Sequence, residues 1–160
     1  MMKALPGNPQ PSLRGQAVKL LARREHSRSE LAKKLSPFAT LEEINAVLDQ
    51  LEQTGLLSDA RAAAAYVRSH AARFGTAKLN HALRSKGIDA ELIEASLAQQ
   101  ELGGELQRAR ELWQRKFGSR QQSGQVARGT KEWARQARFL QSRGFSAEII
   151  RKLLKAPDDE

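Results

Sequence analysis

The 160-residue chain contains no cysteine, which excludes disulfides and thiolate chemistry and removes the usual ligands of structural zinc. Aromatic residues make up only 5% of it. Its apolar residues are mainly alanine and leucine, with few β-branched ones, a balance that favours helices over strands. No run approaches the roughly 18 uninterrupted apolar residues of a membrane span. The opening MMKALPGNPQPS carries three prolines and no apolar stretch, so it reads as neither a signal peptide nor an anchor. Residues 1–12 are expected to form a disordered N-terminal segment, and the chain is expected to be soluble and cytoplasmic. There is no Walker-type phosphate loop and no G-x-G-x-x-G fingerprint. His26, His70 and His81 include no i, i+4 pair. His26 falls at a helix end, where a partial positive charge is favourable, and paired carboxylates such as Glu42–Glu43 fit helix starts. Neither an enzyme, a metal site nor a cofactor is expected.

What is present is positive charge. The net charge is +9, from 27 basic and 18 acidic residues, an excess that suits a polyanionic partner such as nucleic acid or a nucleoprotein. Residues 1–57 and 58–100 each carry +2, residues 101–157 carry +8, and the tail 158–160 is wholly acidic. Most of the excess therefore sits in the last third.

Helix starts and stops recur at short intervals. Ser27 with Glu30 and Thr40 with Glu43 are capping boxes, and Ser58, Thr76, Asp89 and Ser146 are further candidate caps. Gly55, Gly75, Gly87, Gly118 and Gly144 are candidate stops in the left-handed conformation. The pattern predicts helices at about 13–25, 28–35, 41–53, 59–73, 77–86, 90–100, 104–117, 130–143 and 147–155, grouped in threes. LRSKGIDAELIEASL (Leu83–Leu97) and LQSRGFSAEIIRKLL (Leu140–Leu154) agree at seven of fifteen positions without a gap. That agreement marks a duplicated unit. A weaker copy places Leu31 and Leu35 opposite Leu79 and Leu83. The expected fold is all-α, an elongated tandem of three three-helix, helix-turn-helix-like modules at 13–57, 58–100 and 101–157. Module three holds a flexible loop over 118–129, where GSRQQSGQVARG has three glycines and three glutamines. Stacking suits modules of this size, because one alone buries too little surface to be stable.

In TKEWARQARFLQSRG, Lys131, Arg135 and Arg138 fall within a sector of about 60° at 100° per residue, opposite Trp133, Ala137 and Leu140. Arg128 and Arg143 flank this stripe, and Arg108, Arg115 and Lys116 lie on the preceding helix. Glu132 is off the stripe and offers it no i+4 partner, so the stripe is a candidate anion-binding face. Base reading is not expected. AELIEASLAQQ and AEIIRKLLKA lack the Arg, Asn or Gln cluster at their N-terminal ends that would read base edges. Backbone contact without sequence preference stays open.

LLARREHSRSELAKKL (Leu20–Leu35), VLDQLEQTGLLSDARAAAAYVRSH (Val47–His70), RFGTAKLNHALRSKGID (Arg73–Asp89) and ARFLQSRGFSAEII (Ala137–Ile150) occur in this order. Together they resemble the RecX family, bacterial regulators of the RecA recombinase, over residues 13–155. The chain departs from the family habit at Ala62, where an aromatic is common, and at His70, where an arginine is frequent. The resemblance implies a monomeric negative regulator that binds the RecA filament on single-stranded DNA, along its groove or at its end. Strand exchange, ATP hydrolysis and coprotease activity would all be lowered, and with them recombination, DNA repair and the SOS response. Candidate contacts are Lys131, Arg135, Arg138 and Arg143, with Arg68, Arg73, Lys78, Arg84 and Lys86 in module two. Weak direct DNA binding is compatible with these residues. The alternatives are a stand-alone basic DNA-binding protein and an adaptor for another ATPase.

Overall fold

The computed structural model describes residues 12–99, 104–118 and 129–154. The expected disorder over residues 1–11, loop residues 119–128, Arg128 and the acidic tail lie outside the described residues. Among the described residues there are nine α-helices and no strand. They are α1 (Leu13–Arg23), α2 (Arg28–Leu35), α3 (Leu41–Gln53), α4 (Asp59–His70), α5 (Thr76–Ser85), α6 (Ala90–Gln99), α7 (Gly104–Phe117), α8 (Lys131–Ser142) and α9 (Ala147–Leu153). No helix among the described residues is long and apolar enough to cross a membrane.

Local chemistry sets most of these boundaries. Ser27 and Thr40 form complete capping boxes with Glu30 and Glu43. Ser58 and Ser146 accept from the backbone amides of Arg61 and Ile149. Ser12, expected in the disordered segment, instead caps α1 by accepting from the Gly15 amide. Thr76 is not a cap. It is the first residue of α5, whose N-cap is Gly75 in an extended conformation. Gly75 and Gly118 are also not left-handed stops, whereas Gly55, Gly87 and Gly144 have φ of 82°, 74° and 91°.

Each triplet has its own core. Ala17, Leu31, Leu35, Ile44, Leu48, Leu51 and Leu57 fill the first, and Ala63, Val67, Ala71, Leu79, Leu83, Ile88 and Ile93 fill the second. The third is built on Ala109, Leu112, Trp113, Phe117, Leu140, Phe145, Ile150 and Leu154. The closest helix pairs all fall within a triplet, with α4 against α6 and α7 against α9 the most extensive. The chain is a tandem of helical modules.

The repeated segment has a structural role at the joints. In both copies the second helix ends on the same hydrogen bonds: Ile88 N to Leu83 O at 3.2 Å and Phe145 N to Leu140 O at 3.2 Å, with each glycine amide donating three residues back. Each of these ends docks on the start of the preceding second helix. At the first joint the Ser27 hydroxyl, the N-cap of α2, donates to the Lys86 carbonyl at 2.6 Å. At the second joint the amide of Gly75, the N-cap of α5, donates to the Arg143 carbonyl at 2.6 Å, and Ala77 N reaches Gly144 O at 3.3 Å. A Cβ on Gly87 would strike Ser29, and one on Gly144 would strike Lys78. The glycine therefore serves both the turn and the close approach. The second helices α8, α5 and α2 thus run in sequence, each C-terminal carbonyl end meeting the next N-terminal amide end, which is also the favourable sense for helix dipoles.

Candidate nucleoprotein-binding face

The joined second helices carry the charge. Including the C-cap residues, α2, α5 and α8 bear ten basic residues (Arg28, Lys33, Lys34, Lys78, Arg84, Lys86, Lys131, Arg135, Arg138 and Arg143) against Glu30 and Glu132 alone. Third helices α3 and α6 bear six acidic residues and no basic one. Charge is thus segregated between second and third helices in triplets one and two, whereas α9 carries Arg151 and Lys152 against Glu148, and the last third of the chain is not the only basic region. An open cleft of about 450 Å³ at the first joint is lined by Lys33 and Lys34 from α2 together with Ser85 and Lys86 from the end of α5. At the second joint Lys78 Nζ lies 3.5 Å from the Ser142 carbonyl. The cations of successive second helices therefore adjoin across both joints. Lys33 and Lys34 were not among the sequence candidates. Their lack of acidic neighbours other than Glu30 on an exposed short helix is the signal that would have found them.

The nine candidate cations divide by environment. Lys131, Arg138, Arg68 and Arg84 are exposed and make no ion pair among the described residues. The other five lie over aromatic rings. Arg143 is 5.1 Å from the Phe139 centroid, Arg135 5.4 Å from Phe117, Lys78 4.3 Å and Arg73 5.7 Å from Phe74, and Lys86 5.1 Å from Tyr66. Such contacts hold a cation in place without neutralising its charge.

Two expectations about the stripe need correction. Glu132 does serve it, because its carboxylate accepts from Arg135 at 3.0 and 2.7 Å and from the Gln136 amide at 3.0 Å. An i, i+3 pair on the helix surface satisfies this geometry as well as the i, i+4 spacing. The pairing holds the Arg135 pKa above its ordinary value, and the free part of the stripe is Lys131 and Arg138. Gln136 is wholly buried and carries the contact inward by accepting from Trp113 Nε1 at 2.8 Å. Second, Arg108 and Arg115 are consumed at the second joint. Arg108 donates to the Ala71 and Phe74 carbonyls at 3.1 and 3.3 Å, and Arg115 donates to Ala72. Burial pushes the Arg108 pKa down.

Lys86 is likewise a joint residue. It reaches Glu30 at 3.2 Å, and Arg24 reaches the same carboxylate oxygen at 2.9 Å. Burial raises the Glu30 pKa, but hydrogen bonds from Arg24, the Ser27 amide and Lys86 outweigh it and hold the carboxyl down at about 2. His26 differs from its expectation too. It is 1% exposed, and burial lowers its pKa, with the nearby charges of Arg24 and Lys34 acting the same way. Its Nδ1 lies 3.0 Å from the Arg24 carbonyl and its Nε2 3.0 Å from Lys34 Nζ. A lysine donating to Nε2 leaves Nδ1 to carry the proton, so the ring is neutral. His70 is stacked between Tyr66 and Phe74, with centroids 3.9 and 5.6 Å away.

Comparison with known proteins accounts for this architecture. Residues 58–97 match the model of the second three-helix domain of RecX, and residues 104–154 match that of the third. The regulatory protein RecX of Leptothrix cholodnii is 48% identical over 153 residues, covering 95% of this chain and 93% of the relative. That of Chromobacterium violaceum is 39% identical over 150 residues, covering 93% of each. The crystal structure of RecX from Lactobacillus salivarius superposes with a TM-score of 0.72 at 22% identity, over 89% of this chain and 92% of that one. A crystal structure of regulatory protein RecX gives 0.68 at 25% identity, over 89% and 71%. With three-helix domains in tandem and 39–48% identity to named members over nearly the full length, the chain belongs to the RecX family of regulatory proteins.

Proposed function

We propose that the protein is a negative regulator of the RecA recombinase. It binds the RecA filament on single-stranded DNA, along the filament groove or at its end, and lowers strand exchange, ATP hydrolysis and coprotease activity. It works by binding and without catalysis, as a cytoplasmic monomer of three modules drawn at 13–57, 58–100 and 101–157. The observation that carries the reading is the run of three second helices, joined end to start, with ten cations on it, of which Arg28, Lys86 and Arg135 are paired with carboxylates. A filament of protein on nucleic acid is a long polyanionic target, and a run of cations is matched to it in charge and in extent. The repeat supplies the run, and the third copy contributes its exposed Lys131 and Arg138.

The test is binding of the labelled protein to RecA filaments as salt is raised, with Lys131→Glu/Arg138→Glu alongside. The reading expects steep weakening with salt and weaker binding by the variant. A folded variant that binds and inhibits as the wild type does removes these residues from the contact. A salt-resistant, sequence-specific footprint on duplex DNA without RecA would favour the stand-alone DNA-binding alternative.

A further inference from the structure

The turn that follows α2 exposes large apolar side chains. At both joints the turn that ends a second helix is covered by the preceding triplet. In triplet one the corresponding turn, after α2, carries Phe38 and Leu41, which are 66% and 70% exposed. They are the most exposed large apolar side chains among the described residues. The backbone beneath them is well fixed. Ser36 Oγ donates to the Lys33 carbonyl at 2.7 Å, Phe38 N donates to Leu35 O at 3.0 Å, and the Thr40–Glu43 capping box closes the turn. Two large apolar groups are therefore held out in water on a pre-ordered support, the condition that favours tight docking.

The charge around them limits the partner. Leu41 opens α3, whose charged residues, Glu42, Glu43, Asp49 and Glu52, are all acidic. Asp49 and Glu52 are engaged by Arg28 at 2.8 Å each, and Glu43 is engaged by the cap. Glu42, beside Leu41, is exposed. Glu42 beside the apolar pair favours a cationic rim on the partner, while Lys33 and Lys34 lie five and four residues before Phe38 on α2.

We infer that this end of triplet one is a protein-docking contact for a surface offering an apolar pocket rimmed by lysine or arginine. Resting on the filament reading above, that surface belongs to RecA protein, while the second helices face the polyanion. Phe38 and Leu41 are the anchors, and Glu42 sets the charge of the rim.

The experiment compares wild type, Phe38→Ser/Leu41→Ser and Glu42→Lys for binding to RecA filaments and, separately, to bare single-stranded DNA. Thermal melts check that each protein is folded. The expected result is filament binding weakened about 30-fold or more by the double substitution, the effect of removing one interface hot spot. Glu42→Lys weakens it less, and binding to bare DNA does not fall for either variant. Filament binding equal to wild type by both variants overturns the inference and leaves the filament reading standing. Equal losses on filament and bare DNA also overturn it, because the patch would then face nucleic acid. If the wild type fails to bind RecA, both fall together.

Discussion

Replacing Gly144 with alanine isolates the worth of the second joint, because Gly55 provides a matched control. Both residues are left-handed, with φ of 91° and 82°, so alanine at either incurs about 1–2 kcal/mol of backbone strain. Reduced freedom of the unfolded chain returns about 0.4–1 kcal/mol. Nothing lies within 4 Å of a Cβ built on Gly55, so Gly55→Ala should lose only about 1 kcal/mol. At Gly144 the same Cβ falls on the backbone nitrogen and Cα of Lys78, and backbone cannot swing aside as a flexible side chain can. The joint must open, putting at risk the bonds from Gly75 N to Arg143 O and Ala77 N to Gly144 O, each worth about 1 kcal/mol. The expected total is about 3 kcal/mol. At roughly 2–4 °C per kcal/mol for a chain of this size, Gly144→Ala should melt about 6 °C below Gly55→Ala. Circular dichroism reports all the helices, whereas Trp113 and Trp133, the only tryptophans, report the third triplet by fluorescence. Opening of the joint should separate the two melting curves. Equal melting temperatures for the two variants, with coincident curves, would refute a tightly packed joint.

Acid should weaken triplet one and its joint with triplet two in two stages. The folded-state pKa of His26 lies below its ordinary 6.5, so its contribution is complete above pH 6.5 and is lost as pH falls through the lowered value. Glu30, held at about 2 against an ordinary 4.5, contributes about 2 kcal/mol above pH 4.5, lost as pH falls towards 2. In urea titrations the gap between wild type and Glu30→Gln should therefore be widest near neutrality and close in acid; a gap independent of pH would contradict the assignment. Lys86→Ala should lower stability by about 1–2 kcal/mol, since it removes the interactions with Glu30 and Tyr66. Arg84→Ala should leave stability unchanged and weaken filament binding; chemical denaturation and binding assays separate the two. On bare single-stranded DNA, Lys131→Glu/Arg138→Glu should flatten the dependence of log affinity on log salt by about 0.7 for each phosphate that is no longer neutralised. An unchanged slope would remove both residues from phosphate.

Much of the fold is legible in the sequence because it is written locally. Capping boxes at Ser27 and Thr40 and the glycines at 87 and 144 act within a few residues of themselves, and their helices begin and end near the expected places. The failures are long-range. Gly75 reads as a stop because glycine after a helix usually is one, yet it is extended, and its amide is used by a carbonyl 68 residues away. Arg108 and Lys86 read as surface charge, but they are drawn into joints between triplets that no periodicity reveals, and His26 is buried with Arg24 and Lys34 at its ring nitrogens. The pairing of Glu132 with Arg135 was within reach, since i, i+3 pairs share a helix face. The segregation of charge between second and third helices in triplets one and two was also in the sequence. It becomes visible once residues are grouped by position in the triplet rather than by distance along the chain.

The most direct test of the central claim is the rate of ATP hydrolysis by RecA on single-stranded DNA while this protein is titrated in from well below the RecA concentration. Regulation of the filament expects the rate to fall, with Lys131→Glu/Arg138→Glu requiring more protein for the same fall. A large fall at substoichiometric amounts identifies action at filament ends, and a fall only near saturation identifies groove occupancy. An unchanged rate with folded wild-type protein at every ratio would contradict the account.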